Sequence, residues 1–102
     1  MEESLLFSPF YKPKIKPLHI ISYSDYALCY DYSTGRIFTV NKMGELVLKY
    51  SNGSLTIKEI ANYVKKDIDE EIDIEIITKD ILEFIKHLSK LGLLQNDKEA
   101  CE

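Results

Sequence analysis

Apolar residues recur at every second position early in the chain and at every third or fourth position later, and the change of period falls at Asn41. Residues 18–23 and 26–32 are rich in β-branched and aromatic side chains, and Ser24-Asp25 between them predicts a tight hairpin. Gly35 closes a second turn, after which residues 36–40 alternate, with Phe38 and Val40 on one face. The pattern predicts a three-stranded antiparallel meander whose last strand is a free edge. So small a sheet needs helices over one face.

The helices follow without a connecting loop. Asn41 suits an N-cap, Met43, Leu46, Val47 and Tyr50 keep helical spacing, and Asn52-Gly53 supplies a left-handed stop. A second helix opens at Thr56, with Glu59 three residues on as a capping box and Ile57, Ile60, Ala61 and Val64 as its buried stripe. Residues 67–75 hold six acids in nine positions, interrupted by Ile68, Ile72 and Ile74; they read as a solvated loop with isoleucine anchors. The last helix is expected to open near Thr78 and end at Gly92. Its core stripe is Ile77, Ile81, Phe84, Ile85, Leu88 and Leu91, flanked by Leu82 and Ser89 and, just beyond, by Lys79, Lys86 and Lys90. Asp80, Glu83 and His87 lie round the other way.

Before the strands, residues 1–17 mix Leu5, Leu6, Phe7, Phe10 and Tyr11 with three prolines, a composition that resists both helix and central strand. This arm is expected either to lie over the sheet as a lid or to contact a partner.

Composition narrows the function. At 102 residues and 45% hydrophobic, the chain has apolar surface for one core and too little for two. Thirteen Lys and Arg against seventeen acids leave no general basic field for nucleic acid. Cys29 and Cys101 are too far apart for a disulfide framework or a zinc spacing, which fits a reducing compartment. No apolar run approaches the roughly 20 residues of a membrane span and no export signal opens the chain, so a cytoplasmic location is expected. His19 and His87 lack neighbours for a triad or a metal site, and four glycines form no phosphate loop. These absences point to a binding protein with no catalytic residues, metal or cofactor.

The run from Phe38 to Asn41, Gly44, Asn52-Gly53, the run from Thr56 to Ala61 and the run from Asp80 to Leu93 together resemble the PqqD-like family across residues 18–94. The sequence departs from the family in its acidic segment at 67–73 and its long N-terminal arm. The resemblance implies an α+β fold of winged helix-turn-helix type, a three-stranded antiparallel sheet followed by three helices. It divides the chain into an arm at 1–17, a peptide-recognition domain at 18–95 and a flexible tail at 96–102. It implies a stand-alone domain that binds the leader segment of a ribosomally made precursor peptide and presents the rest to a separate modifying enzyme. Such an enzyme would be a leader protease, a cyclase as in lasso-peptide formation, or a radical SAM maturase. In the family the leader adds to the third strand and lies against the last helix. On this chain the edge would be Arg36, Ile37, Phe38, Thr39 and Val40. The helical wheel adds Ile81, Leu82, Ile85, Lys86 and Ser89 as groove lining, with Lys79 and Lys90 at the rim. Two other classes stay open: a winged-helix DNA-binding regulator, against which the acids beside Lys58, Lys65 and Lys66 argue, and a structural subunit of a larger enzyme.

Overall fold

Residues 8–68 and 71–95 are described by the structure, a computed structural model. Strands β1 (His19–Ser22), β2 (Tyr26–Asp31) and β3 (Arg36–Asn41) form one antiparallel sheet in that order, followed by helices α1 (Lys42–Tyr50), α2 (Ile57–Ile68) and α3 (Ile74–Lys90). The fold is α+β as expected, and its topology is consistent with a winged helix-turn-helix.

Register explains which side of the sheet is buried. Ile20 pairs with Cys29 and Cys29 with Phe38, while Ala27 pairs with Val40. These residues share the face that packs on the helices, where Ala27 and Cys29 are sealed and Val40 nearly so. The opposite face carries Ile21, Leu28, Tyr30, Ile37 and Thr39. Behind the sheet, Val47 and Leu48 of α1, Ile57, Ile60, Ala61 and Val64 of α2, and Ile77, Ile81, Ile85 and Leu88 of α3 complete the core.

The turn before β3 is organised by a buried acid. The Asp31 carboxylate accepts from the Ser33 N–H and hydroxyl at 3.0 and 2.7 Å and from the Thr34 hydroxyl at 2.9 Å, and its carbonyl accepts from Gly35 N at 2.8 Å. Gly35 takes φ 77°, which a side chain would disfavour.

Three helix starts follow from local chemistry. The Asn41 side chain accepts from Gly44 N at 2.7 Å, so β3 runs into α1 without a loop. The buried side of α1 is Gly44, Val47 and Leu48, one step round from the expected stripe; Met43, Leu46 and Tyr50 are only half-buried. The box at α2 is formed in both directions, Thr56 N to Glu59 Oε1 at 2.8 Å and Glu59 N to Thr56 Oγ1 at 3.1 Å. Helix α3 starts at Ile74, four residues before the expected Thr78, because Asp73 caps it and Glu75 sits in its first turn, where the exposed N–H groups favour acids. Part of the acidic segment is thus helix start, and Ile68, Ile72 and Ile74 do pack against the core. At the other end Leu93 N bonds Leu88 O and Gly92 N bonds Ser89 O, a Schellman closure around Gly92 at φ 74°.

The described part of the arm is not a lid over the sheet. Its carbonyls at Tyr11 and Pro9 accept from Ile57 N and Lys58 N, both at 2.9 Å, and so satisfy donors that the first turn of α2 leaves open. Pro13 is buried, and its carbonyl accepts from Gly53 N at 2.9 Å. Lys14 bridges to Asn52 and Ile15 to Leu94, which stitches the arm between the α1–α2 turn and the segment after α3. A proline-rich strand can do this because only isolated backbone bonds are asked of it. The expectations for Leu5, Leu6, Phe7, Cys101 and the 96–102 tail fall outside the described residues.

Candidate functional site

Edge strand β3 turns one row of backbone N–H and C=O groups away from β2, and among the described residues no strand covers it. Six residues of strand offer an edge about 20 Å long. Helix α3 runs antiparallel to that strand, bonded to it directly at one end and approached at the other by α1, which continues β3. Arg36 Nη1 donates to the Leu91 carbonyl at 2.9 Å, meeting the electronegative end of the helix. At the far end Gly44 lies so close to Phe84 that an added Cβ would sit 3.3 Å from the ring tip and 3.0 Å from Val40 Cβ. Asn41, Met43, Gly44, Val47, Asp80, Ile81 and Phe84 line a cavity of about 320 Å³ at this end.

These contacts identify the flank of α3 that borders the strand. It is the row Asp80, Phe84, His87 and Leu91, spaced as one helical stripe. The wheel had placed the groove on the opposite flank. Leu82 and Lys79 instead line a separate pocket of about 550 Å³ with Phe10 of the arm and Lys58 and Asn62 of α2. Lys86, Ser89 and Lys90 continue that side of the helix by spacing. Ile81 and Ile85 are fully buried in the core, Ile81 beneath the cavity at the Gly44 end. The strand half of the expected site, Arg36, Ile37, Phe38, Thr39 and Val40, does lie on the open edge, with Phe38 half-buried and Val40 turned into the core.

The helical wheel did not single out Asp80, Phe84, His87 and Leu91 as the flank that lies toward β3. Helical period separates two flanks but carries no information on which one faces the sheet. One signal was present: Gly44 falls on the apolar side of an amphipathic helix, and a glycine there marks a close neighbour.

The cleft has the means to hold an extended chain. Unpaired backbone on one wall can bond a strand, while Phe84 and Leu91 on the other give apolar contact, with Arg36 and Asp80 as opposite charges at the two ends. Reactive groups are scarce. Cys29 is sealed under the sheet, and burial, then Glu45, pushes its thiol pKa up, away from the nucleophilic form. Among the described residues no group of three or more His, Cys, Asp or Glu is placed to hold a metal ion, and no helix is long and apolar enough to cross a membrane. A DNA contact through α2 is hindered as well, since its first-turn donors are taken by the arm and Lys65 bonds the Ile72 carbonyl.

Residues 27–94 match the family model described as "Coenzyme PQQ synthesis protein D (PqqD)". Two solved structures share the fold, each at a TM-score of 0.65. One is "TbiB1 in Complex with the TbiA(beta) Leader Peptide", 18% identical, with 80% of this chain and 94% of that chain covered. The other is "Lasso peptide synthetase B1 complexed with the leader peptide", 13% identical, with 81% and 96% covered. No curated protein matches the sequence.

Proposed function

As the chain belongs to the PqqD family, we propose that it binds the leader segment of a ribosomally made precursor peptide and delivers it to a separate modifying enzyme. The leader adds as a fourth strand along Arg36, Ile37, Phe38, Thr39 and Val40. It turns alternate side chains into the cleft against Phe84 and Leu91. The observation that carries this reading is the open β3 edge walled by α3, tied at Arg36–Leu91 and Gly44–Phe84. Support comes from both structural neighbours, each of which holds a leader peptide on this fold.

Backbone bonds along the edge supply sequence-tolerant affinity, and each large apolar side chain buried in the cleft adds about 1.5–3 kcal/mol of gross stabilisation. Such burial fixes register, because a slip by one residue would turn the apolar set away from α3. The protein itself performs no chemistry. It raises the effective concentration of the precursor at the active site of a leader protease, a cyclase or a radical SAM maturase.

Hydrogen exchange with a synthetic leader peptide tests the site. Amides of β3 should gain protection while those of β1 change little. Phe84→Asp should weaken binding at least thirtyfold by fluorescence anisotropy, and Leu82→Asp, on the far flank, less than threefold. Loss of affinity in Leu82→Asp with Phe84→Asp unaffected, both folded by thermal melt, would move the leader to the arm side of α3.

A further inference from the structure

A sheet with one face packed and one face in water normally alternates apolar and polar residues. This one does not. Its outward positions include Ile21, Leu28, Tyr30 and Ile37, with Tyr32 just past the end of β2. Ile37 is 61% and Tyr32 64% exposed. The Tyr30 and Tyr32 rings meet edge-on at 4.9 Å, and His19 lies 6.1 Å from Tyr32, so the rings form a continuous patch. Of the arm residues 8–17, Lys16 and Pro17 reach only its margin, where they line a cavity with Tyr32, while Pro9, Tyr11, Pro13, Lys14 and Ile15 are engaged at α2, the α1–α2 turn and the segment after α3. An apolar patch of this kind on an otherwise acidic, well-packed small protein marks a contact surface.

The patch runs up to the free edge, because Ile37 belongs to β3. A strand added there has a period of two, so half of its side chains enter the cleft and the other half stand beside Ile37 and Thr39 on the outward face. We propose that this face is the docking surface for the modifying enzyme, and that the outward side chains of a bound leader complete it, so that the enzyme engages the loaded protein in preference to the empty one. The proposal rests on the leader adding to β3. Tyrosine chemistry argues for a partner that comes and goes over a permanent second copy. Phenol hydroxyls stay hydrated when the face is free and bond acceptors when it is covered, whereas permanent dimer faces are more uniformly apolar. The matching surface on the enzyme is an apolar patch edged with carbonyl or carboxylate acceptors for those hydroxyls.

The test uses the full chain, the synthetic leader peptide and the purified modifying enzyme that acts on its precursor. Enzyme affinity, read by biolayer interferometry, should rise at least tenfold when the leader is present. Ile21→Asp on β1, the strand farthest from the edge, and Tyr32→Asp outside the strands should each cut enzyme affinity more than tenfold and change leader affinity less than threefold. Tyr32→Asp guards against a folding defect at Ile21, and thermal melts accompany both. Equal enzyme affinity with and without leader, or unchanged affinity in both variants, overturns the proposal. So does sedimentation of the wild type as a dimer that Tyr32→Asp dissociates, which would assign the face to a second copy. Leader titration without enzyme reports separately on the strand-addition reading: failure of the wild type to bind leader sinks that reading, whereas normal leader binding with indifferent enzyme binding sinks only the docking face.

Discussion

Asp31 shows how a charged residue can be buried chiefly on hydrogen bonds from its own turn. The Ser33 hydroxyl holds its pKa below the usual carboxylate range, with the Thr34 hydroxyl, the Ser33 N–H and Lys16 adding to the effect, while burial opposes them. The folded-state value thus lies below the unfolded value of about 3.9, so the stability it contributes is present above that pH and disappears as pH falls through the folded value. Asp31→Asn should lower the melting temperature at pH 7 and flatten its fall between pH 5 and pH 2, measured by circular dichroism. Gly44 makes an opposite case. An exposed helical Gly→Ala change gains about 0.5–1 kcal/mol, but here the new methyl meets Val40 Cβ at 3.0 Å and Phe84, and over-packing costs about 1–3 kcal/mol. Gly44→Ala should be net destabilising in a urea titration and should disturb leader binding through Phe84. At this scale the capping box at Thr56 and Glu59 and the cap at Asn41 were legible, because each uses partners three residues apart. Asp31 was not, since Ser33-Thr34-Gly35 reads as any turn and only the fold buries the acid among them.

Among the elements, α3 separates what periodicity can tell from what it cannot. Its buried stripe of Ile77, Ile81, Ile85 and Leu88 was readable from spacing, but the choice between flanks depends on the direction in which the helix crosses behind the sheet. That direction is set by contacts from distant segments, Arg36 to Leu91 and Gly44 to Phe84. The arm is a similar case. Its prolines excluded helix and central strand correctly, yet its destination depends on open donors at α2 that local sequence does not reveal. A chain beginning at residue 18 would lose the Pro9 and Tyr11 acceptors and the buried Pro13. With each hydrogen bond worth about 0.5–1.5 kcal/mol, it should melt well below the full chain and show fast amide exchange at Ile57 and Lys58.

For the whole molecule, the order of strands and helices followed from two changes of period and a few caps, because a small sheet has few ways to cover one face. Surfaces left open were harder to read, since an outward tyrosine and an inward one look alike until register is known. The stitch of Lys14 and Ile15 to Asn52 and Leu94 carries a further consequence at this scale. It places the segments entering and leaving the sheet-and-helix body side by side, so the polypeptide enters and exits through one port. A domain wired in this way can be spliced into a surface loop of a host protein, or have its ends joined and its chain reopened elsewhere, with little loop-closure entropy and no rearrangement of its core.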